Sequence, residues 1–214
     1  GIARVSNNLA VLLALTGKME AAESTAVQAL ATYRMLGDDL ACARALLNLG
    51  SILLQSGKPA EARELFDLAL PRFDAASYPL ERARCLVGMA HATCGEGKAE
   101  EAKTSIDEAM TIFEQQNNVA GLASSSIASA RVENMLGNIE AAKAHALKAL
   151  EWDKARGASR DVMNDLEELG NICAAQEKDA AADYYTRALA SARALRHEPA
   201  IKRLQVKLAA LDRQ

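Results

Sequence analysis

The chain has 214 residues, half of them hydrophobic but only 4% aromatic, with a formal net charge of −3. That balance can fill a core, and it lacks the large basic excess of a nucleic-acid binder. No run of about 18 apolar residues is present to span a membrane. Abundant alanine with few aromatics favours closely packed helices over a sheet.

The first helical pattern opens almost at once after Gly1, which fits a piece cut from something longer. It sets the register for a repeat. Gly17, Gly57, Gly97 and Gly137 stand 40 residues apart, as do Ala22, Ala62, Ala102 and Ala142, and Ala29, Ala69, Ala109 and Ala149. A fifth copy, over 169–189, lacks one residue and the glycine at its turn; its matching alanines are Ala181 and Ala188. Each unit predicts two helices. In the second copy Leu46, Leu49, Gly50 and Leu53 share one side of a wheel turning about 100° per residue. Past Gly57, Pro59 suits a first helical turn, and Ala62, Phe66 and Ala69 form the next apolar stripe. Pro71, late in that helix, is expected to kink or shorten it. Gly37, Ser77, Asn117 and Gly157 fall where helices should end, glycine and asparagine tolerating a left-handed backbone best. The expected repeats are 3–37, 41–77, 81–117, 121–157 and 161–196. A last segment, 197–214, reads as a capping helix or the start of a sixth unit.

In the fourth copy Ser126, Ser129 and Glu133 replace Leu46, Leu49 and Leu53. Three lost leucines forfeit roughly 1.5–3 kcal/mol each, so this joint is expected to be the softest. It is either a hinge or a helix rotated to pack through Ile127, Val132 and Met135.

These residues resemble the tetratricopeptide repeat family. Leu49 and Gly50 stand at its leucine–glycine pair, Ala62 at its small residue, Phe66 at its aromatic and Ala69 at its later alanine. The likeness is looser where Ala26 and Ala146 replace Phe66, and the unit is longer than the common one of about 34 residues. It is similar to the 40-residue variety of spindle-orientation scaffolds, kinesin light chains and bacterial regulatory proteins. The resemblance implies an all-α fold, a right-handed α-solenoid or superhelix. The first helix of each pair would line a concave groove.

With the leucines packed inward, Arg44, Leu47, Asn48, Ser51 and Gln55 lie on the opposite side of their helix. By resemblance, that side is the groove. Extending the columns gives Arg4, Arg44 and Arg84, with Arg203 reappearing in the last helix. A second column holds Asn8, Asn48, Gly88, Ala128 and Glu168, and a third Val11, Ser51, His91, Arg131 and Asn171. Between them an aliphatic strip runs through Leu47, Val87 and Ile127. Arginine offers a planar fork of donors for a carboxylate, and asparagine both a donor and an acceptor for an extended backbone. Together they suit an acidic peptide or protein segment with apolar anchors. The plainer role of the arginines is pairing with a nearby acid such as Asp39 or Glu81, which contributes only about 0–1 kcal/mol.

Signatures of catalysis are absent: no glycine-rich phosphate loop, HExxH, GxSxG or EF-hand pattern occurs. Cys42, Cys85, Cys94 and Cys173 form no CxxC pair, and His91 with Cys94 is too few ligands for a metal. The chain therefore reads as a non-catalytic binding scaffold with no cofactor, cytoplasmic, its thiols reduced. Two other readings stay open. One is the sensor portion of a larger bacterial-type transcription regulator or signalling enzyme. The other is a homo-oligomer joined through the last helix, which carries Leu204, Val206, Leu208 and Leu211.

Overall fold

A computed structural model describes residues 1–75 and 77–211 of the chain, as eleven helices with no strand among them. In order they are α1 (Ile2–Leu15), α2 (Met19–Leu36), α3 (Asp39–Gln55), α4 (Pro59–Ala75), α5 (Pro79–Gly95) and α6 (Ala99–Gln115). Then come α7 (Val119–Met135), α8 (Ile139–Ala155), α9 (Ser159–Cys173), α10 (Lys178–Ala194) and α11 (Glu198–Leu211). The final three residues of the segment expected to cap the array lie outside the described residues.

Local chemistry accounts for the punctuation. Gly17, Gly57, Gly97 and Gly137 turn the first four hairpins with φ of 78°, 75°, 82° and 81°. Between hairpins the same left-handed backbone is adopted by Gly37 and Gly157, and by Ser77 and Asn117 at φ 56° and 50°. Holding a side chain there costs roughly 1–2 kcal/mol, which the packed helices on either side must offset. Asp38 and Asn118 cap α3 and α7, accepting from the Ala41 and Gly121 amides at 2.9 and 2.7 Å and so satisfying end donors the helix cannot. Pro71 does not shorten α4, which spans 17 residues like α3 and α5.

The helices gather into two compact units, 1–117 and 118–214. In the first, hairpins α1–α2, α3–α4 and α5–α6 stack in order. Successive first helices also pack, α1 on α3 and α3 on α5, whereas no two second helices do so to that degree among the described residues. Successive hairpins meet mainly where α2 packs on α3 and α4 on α5, and of like helices the first lie nearer together than the second, which makes that side the inner one. The core is built from alanine columns and aromatic plugs. Phe66 lies between two glycines: a Cβ on Gly50 or Gly88 would sit 2.7 or 2.6 Å from its ring. Only hydrogen at those two positions lets the ring enter.

The second unit holds hairpins α7–α8 and α9–α10, with α11 packed on α10. Its core runs through Met163, Leu166, Leu169, Tyr185 and Leu204. In α7, Ser126 is fully buried in its leucine column and Val132 is buried, while Met135 remains exposed. All four cysteines are buried and none is joined in a disulfide. Among the described residues no helix is long and apolar enough to cross a membrane.

Candidate binding faces

Helix α3 touches four neighbours, α1, α2, α4 and α5, so far more than half of its circumference is covered. What stays open is a narrow polar stripe, Arg44, Asn48, Ser51 and Gln55, at helical spacing. Leu47 and Val87 do not belong to it. They are only 3% and 5% exposed, because successive first helices pack side by side and enclose that position. The aliphatic strip expected there is therefore core in the first unit; Ile127, in the second, is half-buried.

Arg4, Arg44 and Arg84 occupy one register on α1, α3 and α5, and all three are exposed. They differ in what holds them. The Arg44 Nη2 donates to Glu81, in the first turn of α5, at 2.8 Å, and its Nε to the same oxygen at 3.2 Å. Its guanidinium also stacks 5.0 Å from the centre of the Tyr78 ring. Arg84 makes no ion pair or side-chain hydrogen bond among the described residues. Of the polar companions, Asn8 is exposed, Asn48 and His91 are half-buried, and the Ser51 hydroxyl donates to its own helix at Leu47 O, 2.9 Å away. Gly88, in the asparagine column, is buried against Phe66.

The inner face of the second unit carries its own counter-charges. Arg131 donates to Glu168 at 3.1 Å. On α9, Glu167 receives the Arg203 fork at 2.8 and 2.7 Å and the Lys207 ammonium at 2.7 Å. Lys207 also reaches Asn171 at 2.6 Å, and the Tyr185 hydroxyl donates to that residue at 3.0 Å. Burial pushes the Glu167 carboxyl up, but the Arg203 and Lys207 hydrogen bonds outweigh it and hold the group below the ordinary carboxylate range. This network pins α11 to α9. It uses Leu204 as well, which is fully buried, and Leu208 and Leu211 pack partly against the same core. The apolar face expected to join two copies through α11 is thus largely spent inside the unit, with Val206 its one large hydrophobic exposed among the described residues.

One cluster was missed from sequence. Asp153 and Asp165, between α8 and α9, are 3% and 2% exposed. Asp165 Oδ2 has no hydrogen-bond partner, so a negative charge there would be buried without compensation. Burial first, and the charge of Asp153 second, push the Asp165 carboxyl up to about 8. Arg156 donates to Asp153 at 2.6 Å and also pairs with Asp161. A signal did exist: residue 153 shares a column with Tyr33, Phe73 and Phe113, and an aspartate in an aromatic column demands a partner.

Residues 1–75 match the tetratricopeptide repeat family. No curated protein matches the chain. Among solved structures, a Rap protein complexed with competence and sporulation factor superposes with a TM-score of 0.82 at 14% identity, over 93% of this chain and 56% of that one. BtubC from P. vanneervenii gives 0.67 at 20% identity, over 90% and 82% of the two chains. A signal transduction ATPase with numerous domains from Pyrococcus horikoshii, which has a tetratricopeptide repeat sensor, gives 0.64 at 15% identity, over 98% and 33%. The chain thus spans a little over half the length of the Rap protein and a third of the ATPase. At these identities the likeness is one of fold.

Proposed function

We propose that this chain, whose residues 1–75 match the tetratricopeptide repeat family and whose 40-residue unit runs on behind them, is a tetratricopeptide repeat protein and a non-catalytic scaffold whose first unit holds an acidic protein segment. The observation that carries this reading is the row Arg4, Arg44 and Arg84, exposed at one register on three adjacent first helices. Arg84 can accept a carboxylate outright, while Arg44 must share one with Glu81. Asn8 and Asn48 flank the row and can bond the segment's backbone. Since Leu47 and Val87 are buried, charge and backbone contacts carry the affinity more than apolar anchors do. The buried thiols suit a reducing compartment, and we place the protein in the cytoplasm.

The test is a screen of labelled peptides by fluorescence anisotropy, followed by Arg44→Glu and Arg84→Glu together. Acidic peptides should be selected, and binding should weaken with salt and fall by about a hundredfold or more in the double variant. Binding indifferent to both changes would overturn the reading.

A second reading is supported by the repeat sensor of the Pyrococcus horikoshii ATPase and by the Rap protein complexed with competence and sporulation factor. In that reading the chain is the sensing portion of a larger regulator. A DNA-binding or nucleotide-hydrolysing domain adjoining it in the same gene would favour this.

A further inference from the structure

Second helices stand apart in the first unit, and each gap between them is floored by the first helix that comes between. The two gaps rest on the same repeat columns and are filled in opposite ways. Between α4 and α6, Arg82 rises from the floor and donates to Asp74 on one wall and Glu108 on the other. A cation bridges two anions.

Forty residues earlier, between α2 and α4, the walls are cationic. Arg34 occupies the column of Asp74. Arg72 folds its guanidinium back onto the Leu68 carbonyl, in the column of Glu108. The floor residue in Arg82's column is Cys42, too short to bridge them. What remains is a cavity of about 190 Å³ lined by Arg34, Asp39, Cys42, Leu46, Leu68 and Arg72. Both arginines act on the Cys42 thiol, which places their charge at the cavity. Burial is the larger influence there and pushes the thiol up, so it stays neutral and supplies no counter-charge. Among the lining residues Asp39 supplies one negative charge against two positive ones, with Asp38 acting more weakly from outside the lining, and Arg34 makes no side-chain hydrogen bond or ion pair among the described residues.

We propose that this cleft binds a carboxylate bearing a short aliphatic chain. The anion lies between Arg34 and Arg72, the reverse-charge counterpart of Arg82 between Asp74 and Glu108, and the chain rests on Leu46 and Leu68. The volume is that of about six water molecules, enough for such a group and too small for a nucleotide. Asp39 at the rim opposes a second negative charge and so selects a monoanion. The site is on the second-helix side, separate from the arginine row of the inner face. The carboxylate can belong to a free acid or to a peptide's C-terminal leucine, which offer the same chemistry.

Labelled protein titrated with 4-methylpentanoate, its uncharged amide, and acetyl-glycyl-leucine with a free terminus tests this by amide and Arg Nε–H NMR shifts. The two carboxylates should shift signals in 34–46 and 68–72, with the amide weaker by about tenfold or more and the effect lost in Arg34→Gln. Tighter binding of the dipeptide would assign the site to a chain terminus, and tighter binding of the free acid to a metabolite. A built-in carboxylate gives a second readout: Cys42→Glu should melt above Cys42→Gln at neutral pH, should lose that advantage in acid, and should no longer take the probes. Shifts shared equally by the amide, or no shift with any probe, would overturn the proposal, as would equal melting of the two variants at neutral pH.

Discussion

In the first unit the column through residues 33, 73 and 113 holds Tyr33, Phe73 and Phe113; in the second it holds Asp153 and Ala192. The column that holds Ala45 and Cys85 in the first unit holds Ser125 and Asp165 in the second. One repeat geometry therefore accommodates both an aromatic core and a pair of buried carboxyls. The inner faces differ in the same sense. Arginine is exposed and partly uncommitted on α1, α3 and α5, whereas the cations Arg131 of α7 and Arg203 and Lys207 of α11 are consumed by Glu168 and Glu167 of α9. A face that neutralises itself is rigid and has little left for a partner. A face with spare donors is available to one.

Each half of this contrast can be broken. The largest effect is expected from Phe66→Ala, which empties the space between Gly50 and Gly88 and should cost about 3–5 kcal/mol in chemical denaturation. The loss should fall on the first unit, with hydrogen exchange quickened in 43–95. Next comes Glu167→Gln, which leaves Arg203 and Lys207 without their shared anion. It should cost about 2 kcal/mol and speed exchange in α11 before any other helix. Acid should do the same to the unaltered protein. A carboxyl held below its ordinary range adds stability that is present above that range and lost as pH falls through the lowered value.

Asp165→Asn should change least at mildly acidic pH, because the amide keeps a donor toward Asp153. Its effect is on the pH profile. Between the ordinary aspartate range and about 8, the folded chain holds a proton on Asp165 that the unfolded chain has released. Stability of the second unit should therefore decline as pH rises through that window. In the variant the decline should vanish. Retention of the full slope would show that Asp165 is not the group responsible.

Much of the fold was legible as columns. Glycines and alanines at one spacing marked the hairpins, and Ser77 and Asn117 could be read as left-handed ends because they fell in line with Gly37 and Gly157. The inner face was legible only in part. A wheel that assigns one side to the core suits a helix with one or two neighbours, and α3 has four; Leu47 was placed outside for that reason. The Arg44–Glu81 pair was within reach of the sequence, since both ends lie on predicted first helices, but nothing in the spacing chose Glu81 over Asp39. Asp153–Asp165 needed the columns to be read for what breaks them as well as for what fills them.

The most direct measurement is an NMR titration of the labelled protein with a blocked peptide alternating glutamate and leucine, at low and at physiological salt. Shifts should concentrate on the Nε–H groups of Arg4, Arg44 and Arg84 and on neighbouring amides of α1, α3 and α5, should weaken with salt, and should disappear when Arg44 and Arg84 are both glutamate. Shifts confined to α9 and α11, or the same shifts in the double variant, would contradict the assignment of binding to the first unit's arginine row.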